Sequence, residues 1–159
     1  MTFMRVSAVS LSTFDTSPRP FNCCARSYAA LASSRFDLSA AVAPLVRLAM
    51  LRHDHVDALG SIDRARPFAS GEDAIQLDTW RAEILARDDQ PEAALAVYRG
   101  LIGTDAAGAE LALDAALTML DNRHQVEAES LLQTARALAR HTGRRSVEDR
   151  AEEILARFF

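Results

Sequence analysis

The chain is expected to be all-α: a short solenoid of three antiparallel helix pairs closed by a C-terminal capping helix. Three observations lead there. From Ser39 onward apolar residues recur every three or four positions, the spacing of one helix face, over seven successive segments. Short polar turns separate the segments and leave no room for a sheet. A pattern of small and large residues also returns at an interval of 34, placing Ala82 on Ala116, Leu85 on Met119, Ala94 on Ala128, Tyr98 on Leu132 and Leu101 on Ala135. A fixed period of this size is the mark of stacked helical units, each burying its apolar face only against a neighbour.

The elements follow in order. Residues 1 to 38 contain Pro18, Pro20 and many Ser and Thr without periodicity, and are expected to form a mostly disordered leader. Being Ser-rich, Arg-bearing and acid-poor, the segment also fits an organellar transit peptide or a wrongly assigned start. The helical domain is expected over residues 39 to 159. Its first pair is Ala41 to Arg52 and Val56 to Arg66, with Ala58, Ile62 and Ala65 in the spacing of the later copies. Ala58 lies 36 residues before Ala94, so the turn around "RPFASGED" is two residues longer than the next one. The second pair is Glu72 to Arg87 and Pro91 to Ile102. Pro91 suits a first turn, where a missing N–H costs nothing, and Asp89 with Glu92 reads as a capping box. Ala107 to Leu120 and Val126 to Arg140 form the third pair, and Gly143 ends it. Ser146 with Asp149 is expected to cap the last helix, Val147 to Phe158. Its stripe of Val147, Ala151, Ile154, Leu155 and Phe158 would cover the open end of the stack, so residues 146 to 158 are read as a capping helix, with a partner-binding amphipathic helix as the alternative.

Composition narrows the function. Aromatic residues make up only 6% of the chain while hydrophobic ones make up 49%, so the core must be alanine and aliphatic side chains, which suits closely packed helices. All 18 basic residues are arginine. Residues 1 to 36 hold four arginines and one acid (+3), whereas residues 37 to 159 hold 14 arginines and 21 acids (−7). An acidic helical region without a basic face argues against nucleic acid as a partner. Cys23 and Cys24 are adjacent and cannot form a long-range disulfide, which fits a reducing compartment. No run approaches the roughly 18 apolar residues of a bilayer-spanning helix, so membrane insertion is not expected.

His53, Asp54 and His55 have ligand chemistry but fall in a turn, where residues two apart need not face one point, and His124 and His141 are distant; no metal is expected. The six glycines form no phosphate-binding fingerprint, and neither a G-x-S-x-G nucleophile elbow nor an electropositive cysteine is present. Acid pairs such as Asp88–Asp89 and Glu152–Glu153 fall at helix ends or on a wet face. Neither an enzyme nor a cofactor is expected.

A 34-residue helix pair with small residues at fixed places resembles the tetratricopeptide repeat. In that family a small residue in the first helix and an alanine early in the second let two backbones approach, and a bulky residue four positions on fills the next groove. Here Ala82 and Ala116 match the first place, Ala58, Ala94 and Ala128 the second, and Ile62, Tyr98 and Leu132 the third. The resemblance covers residues 40 to 140. It departs where the family's tryptophan falls on Asp78 and Ala112, with Trp80 two residues away, and where the usual proline between repeats is missing. The run "LDAALTMLDNRHQVEAESLLQTARALA" is in addition similar to the small bacterial chaperones that hold type III secretion translocator or needle subunits before export.

The resemblance implies a right-handed stack whose concave groove, lined by the first helix of each pair, binds a protein or peptide. In family register the groove takes Arg47, Met50 and Leu51 from the first pair, Gln76, Thr79, Glu83 and Arg87 from the second, and Glu110, Leu113, Leu117, Leu120 and Asp121 from the third. Members that clamp an acidic C-terminus use lysine and asparagine where this chain has Thr79, Glu83, Leu113 and Leu117, so a carboxylate clamp is not expected. An apolar groove with a mixed-charge centre fits a hydrophobic or amphipathic segment. The implied roles are adaptor or chaperone in a bacterial cytoplasm. The alternative is a structural assembly protein, a homo-oligomer joined through its helical faces.

Overall fold

The computed structural model describes residues 38 to 159; the expected leader, Leu38 apart, and both cysteines lie outside the described residues. Among the described residues there are seven α-helices and no strand: α1 (Leu38–Leu51), α2 (His55–Ala65), α3 (Glu72–Arg87), α4 (Pro91–Leu101), α5 (Ala106–Asp121), α6 (Gln125–Thr142) and α7 (Arg145–Phe158). A short 3-10 turn, Arg66–Phe68, takes up the longer connection between α2 and α3. Helix α3 has the expected bounds. Helix α1 begins at Leu38, three residues before the first expected helix, because a distant group caps it: the Leu38 and Ser39 N–H groups donate to the Asp73 carboxylate of α3 at 3.3 and 3.1 Å.

One turn geometry recurs. His53, Asp89 and Arg123 adopt left-handed φ of 57°, 59° and 67°, and Gly143 does so at 72°. The N–H of each following residue donates back across the turn, Asp54 to Ala49, Gln90 to Leu85, His124 to Met119 and Arg144 to Ala139, at 2.9 to 3.0 Å. A left-handed residue followed by this bond is the Schellman ending, which satisfies carbonyls the helix leaves bare. Two expected caps are thereby corrected. Asp89 takes the left-handed position, and α4 is preceded by Gln90, whose side chain does not cap it. Helix α7 is preceded by Arg144, so Ser146 sits inside its first turn. Besides Asp73, the carboxylates that do cap are Asp54, accepting from the Asp57 N–H at 3.0 Å, and Asp105, accepting from the Gly108 N–H at 2.8 Å.

Packing follows the repeated alanines. Ala58, Ala94 and Ala128 each donate their N–H to the residue just before their helix and are fully buried, as are Ile62, Tyr98 and Leu132 one turn on. Ala82 and Ala116 are buried equally, while Leu101 is only half-buried. Side chains this small let helix axes approach and bring dispersion contacts from both backbones. Helices α1 and α2, α3 and α4, and α5 and α6 pack together, the second of each against the first of the next; α1, α3, α5 and α7 also contact in succession. Imidazoles tie the turns: His55 Nδ1 lies 2.9 Å from an Asp88 carboxylate oxygen, and His124 Nε2–H donates to the Ala86 carbonyl at 2.8 Å.

Candidate functional site

Eight of the twelve expected groove residues divide between clefts at opposite ends of the succession α1, α3, α5, α7. Between α1 and α3 lies a cleft of about 320 Å³ walled by Val46, Arg47, Met50, Trp80, Glu83 and Arg87. It adjoins a hollow at the end of α1 formed by Arg47, Met50, Leu51, His53, His55 and Arg87. Between α5 and α7 a second cleft, of about 210 Å³, combines Leu117, Leu120 and Asp121 with Arg150, Glu153, Ile154, Arg157 and Phe158. Helical spacing accounts for both groupings, since Arg47 with Met50, Glu83 with Arg87, and Leu117 with Leu120 stand three or four apart on one face.

Four of the twelve line neither cleft. Thr79 donates its hydroxyl to the Ile75 carbonyl at 2.9 Å, and Glu110 pairs with Arg144 at 3.3 Å. Leu113 packs under α7 and α6 with Ala109, Ala139 and Val147. Gln76 is half-buried on α3.

The α7 side chains and Trp80 line these clefts without being among the twelve expected groove residues. A signal existed for α7: Ala151 and Ile154 follow Ala116 and Met119 by 35 residues, one more than the repeat interval, and are buried like them. Helix α7 therefore stands beside α5 as α5 stands beside α3, and its charged side chains wall a cleft. Arg150 bonds Glu153 at 3.1 Å, and the Arg157 guanidinium sits 5.5 Å from the Phe158 ring centre.

The middle of this surface, between α3 and α5, is polar. Burial raises the Glu83 carboxyl above its usual range, with Arg87 one turn later pulling it partly back. Burial also raises Asp114, and the neighbouring Glu110 charge adds to the rise. Tyr98 reaches this region from α4. It is only 1% exposed, and its hydroxyl is enclosed, with the Thr118 hydroxyl close enough to act on it as a hydrogen-bonding neighbour. Burial pushes the phenol up to about 12, with the nearby Thr118 hydroxyl offsetting part of the rise and the fields of Glu83, Arg87 and Asp114 acting on it. Thr118 in turn donates to the Asp114 carbonyl of its own helix at 3.1 Å. Such a surface can hold aliphatic side chains at two places and a polar group between them.

Among the described residues no three His, Cys, Asp or Glu side chains converge where a metal ion could sit, and no helix is long and apolar enough to cross a membrane. No family model, curated protein or solved structure matches the chain.

Proposed function

We propose that the chain is a non-enzymatic protein-interaction module, an adaptor or chaperone. Its helix pairs are read as a short right-handed tetratricopeptide-like solenoid, in which α1, α3, α5 and α7 present one face to a hydrophobic or amphipathic segment. The observation that carries this reading is the pair of open clefts on successive first helices, each combining aliphatic side chains (Met50 and Leu51; Leu117 and Leu120) with charged ones. The order of helix contacts supports it, because each first helix touches its own partner and the next first helix. The narrower reading, a bacterial cytoplasmic chaperone for type III secretion subunits, rests on the likeness of the α5–α6 run. Fluorescence anisotropy with a panel of labelled amphipathic peptides tests the module. Binding should be lost in Leu117→Glu and Met50→Glu variants that keep their helical circular dichroism; affinity unchanged in both variants rules out the clefts as the site.

The alternative, self-association, has an observation of its own. Leu45, Leu48 and Leu51 are exposed along one face of α1, the first helix of the stack, whose only charged residue is Arg47.

A further inference from the structure

We propose that the hollow at the end of α1 seats a carboxylate of the bound segment between Arg47 and Arg87, with a bulky apolar residue next to it in the α1–α3 cleft beside Trp80. The inference rests on the peptide-binding reading above and adds the chemistry of one end of the segment.

The two depressions share a wall. Arg47 and Met50 of α1 and Arg87 of α3 line both the cleft and the hollow, so one cavity system brings the two guanidiniums together. The hollow, of about 440 Å³, is completed by Leu51, His53 and His55, and no carboxylate lines it. Composition would not lead one to expect such a wall, since residues 37 to 159 carry 21 acids against 14 arginines. The acids adjacent in sequence to the lining residues are already engaged. Asp54 accepts from the Asp57 N–H at 3.0 Å, and Asp88 lies 2.9 Å from His55 Nδ1. Neither Arg47 nor Arg87 has an ion pair within 4 Å among the described residues, whereas Arg64, Arg66, Arg81, Arg140, Arg144 and Arg150 do. Arg47 is also the only charged residue of α1.

Two guanidiniums on contacting helices offer forks of N–H donors that match a planar carboxylate, and their charge favours it. A basic side chain would meet two like charges here. Beyond the shared wall the cleft is lined by Val46, Ile84 and the half-buried Trp80, a surface suited to a bulky apolar side chain that keeps water from the charged pair. Glu83 is the one acid in that cleft. It stands one turn before Arg87, whose charge acts on it, so a bound carboxylate competes with Glu83 for Arg87. The seat is distinct from a clamp built on the places of Thr79, Glu83, Leu113 and Leu117, none of which lines the hollow.

A peptide library displayed with free C-termini, panned against the full chain, tests the proposal. Recovered sequences should place an acidic residue, or the terminus itself, beside a bulky apolar residue. For a recovered peptide, the isosteric amide of the acid, glutamine for a glutamate side chain or a carboxamide for the terminus, should weaken binding about tenfold. Whichever replacement does so identifies the source of the carboxylate. The difference should vanish in the Arg47→Met, Arg87→Met double variant, which should keep its circular dichroism because both side chains are exposed and neither is ion-paired. Glu83→Gln should enlarge the difference by freeing Arg87 from a competing charge, an effect that loss of a merely structural contact would not give. Equal affinity for the acid and for both amides overturns the carboxylate seat and leaves the clefts standing. A difference that persists in the double variant also overturns it. Recovery of no binder at all removes the peptide-binding reading together with this one.

Discussion

A β-carbon on Gly108 would overlap the carbonyl of Gly103, because the first turn of α5 rests directly on the backbone of the connection from α4. Gly100, on α4, has nothing within 4 Å of the same added atom. We expect Gly108→Ala to cost about 1–3 kcal/mol in urea unfolding through forced displacement. Gly100→Ala should instead stabilise by roughly 0.5–1 kcal/mol, because alanine loses less backbone freedom in a helix. Three carboxylates make a second contrast. His55 and then Gln90, both hydrogen-bonded to Asp88, hold its carboxyl below the usual range. A depressed folded pKa contributes stability above the unfolded value, about 4, that is lost as pH falls through the folded one. Stability should therefore drop more steeply on acidification in the wild type than in Asp88→Asn, as read by thermal unfolding across that window. Glu83 and Asp114 carry the opposite sign. Their raised carboxyls favour the fold below the unfolded pKa, and that advantage disappears as pH rises through the folded value. Glu83→Gln should accordingly raise the unfolding midpoint at neutral pH, where Asp88→Asn lowers it; a fall in both variants would show that the Glu83 charge is not strained.

The helices were legible in the sequence and their ends were not, for a physical reason. Apolar residues at helical spacing have to face the core, so Ala58, Ala94 and Ala128 mark one face of their helices whichever side chains surround them. A Schellman ending announces itself through glycine, and only Gly143 supplies one; His53, Asp89 and Arg123 hold the same conformation with a Cβ. The left-handed conformation costs an L-residue about 1–2 kcal/mol, a cost the surrounding bonds must offset. His55 and His124 tie two of these turns to the end of α3, and contacts 33 and 38 residues apart have no local signature. The clefts were partly legible for a similar reason. Helical spacing brought eight of the twelve expected residues to the clefts, while a one-residue slip of the interval and a charged surface hid the place of α7 beside α5. Asp89→Gly tests the turn: it should raise stability by about 1 kcal/mol if relief of the left-handed strain dominates. A loss on chemical denaturation would mean that the Asp89 side chain supports the turn.

At the scale of the whole molecule, the succession of contacting helices among the described residues begins with α1 and finishes with α7, and these two ends differ in chemistry. At the C-terminal end α7 is held by charge: Arg140 binds both Glu148 and Glu152, and Arg144 reaches back to Glu110. At the other end α1 exposes Leu45, Leu48 and Leu51, with Arg47 its only charged residue. Head-to-tail growth would set this apolar stripe against a charged helix and desolvate ions without partners, which is unfavourable. A second copy presenting the same stripe is the matching surface, and a two-fold contact of this kind closes on itself rather than extending into a fibre. The self-association reading therefore predicts a dimer and no larger assembly. Light scattering over a dilution series should show twice the chain mass at high concentration, falling toward one on dilution. Leu45→Glu with Leu48→Glu should give a monomer at every concentration with unchanged circular dichroism. Because those side chains point away from the α1–α3 cleft wall of Val46, Met50 and Trp80, peptide binding should survive in that monomer. A wild-type chain that stays monomeric throughout would reject the dimer and leave the α1 stripe without a partner of its own kind.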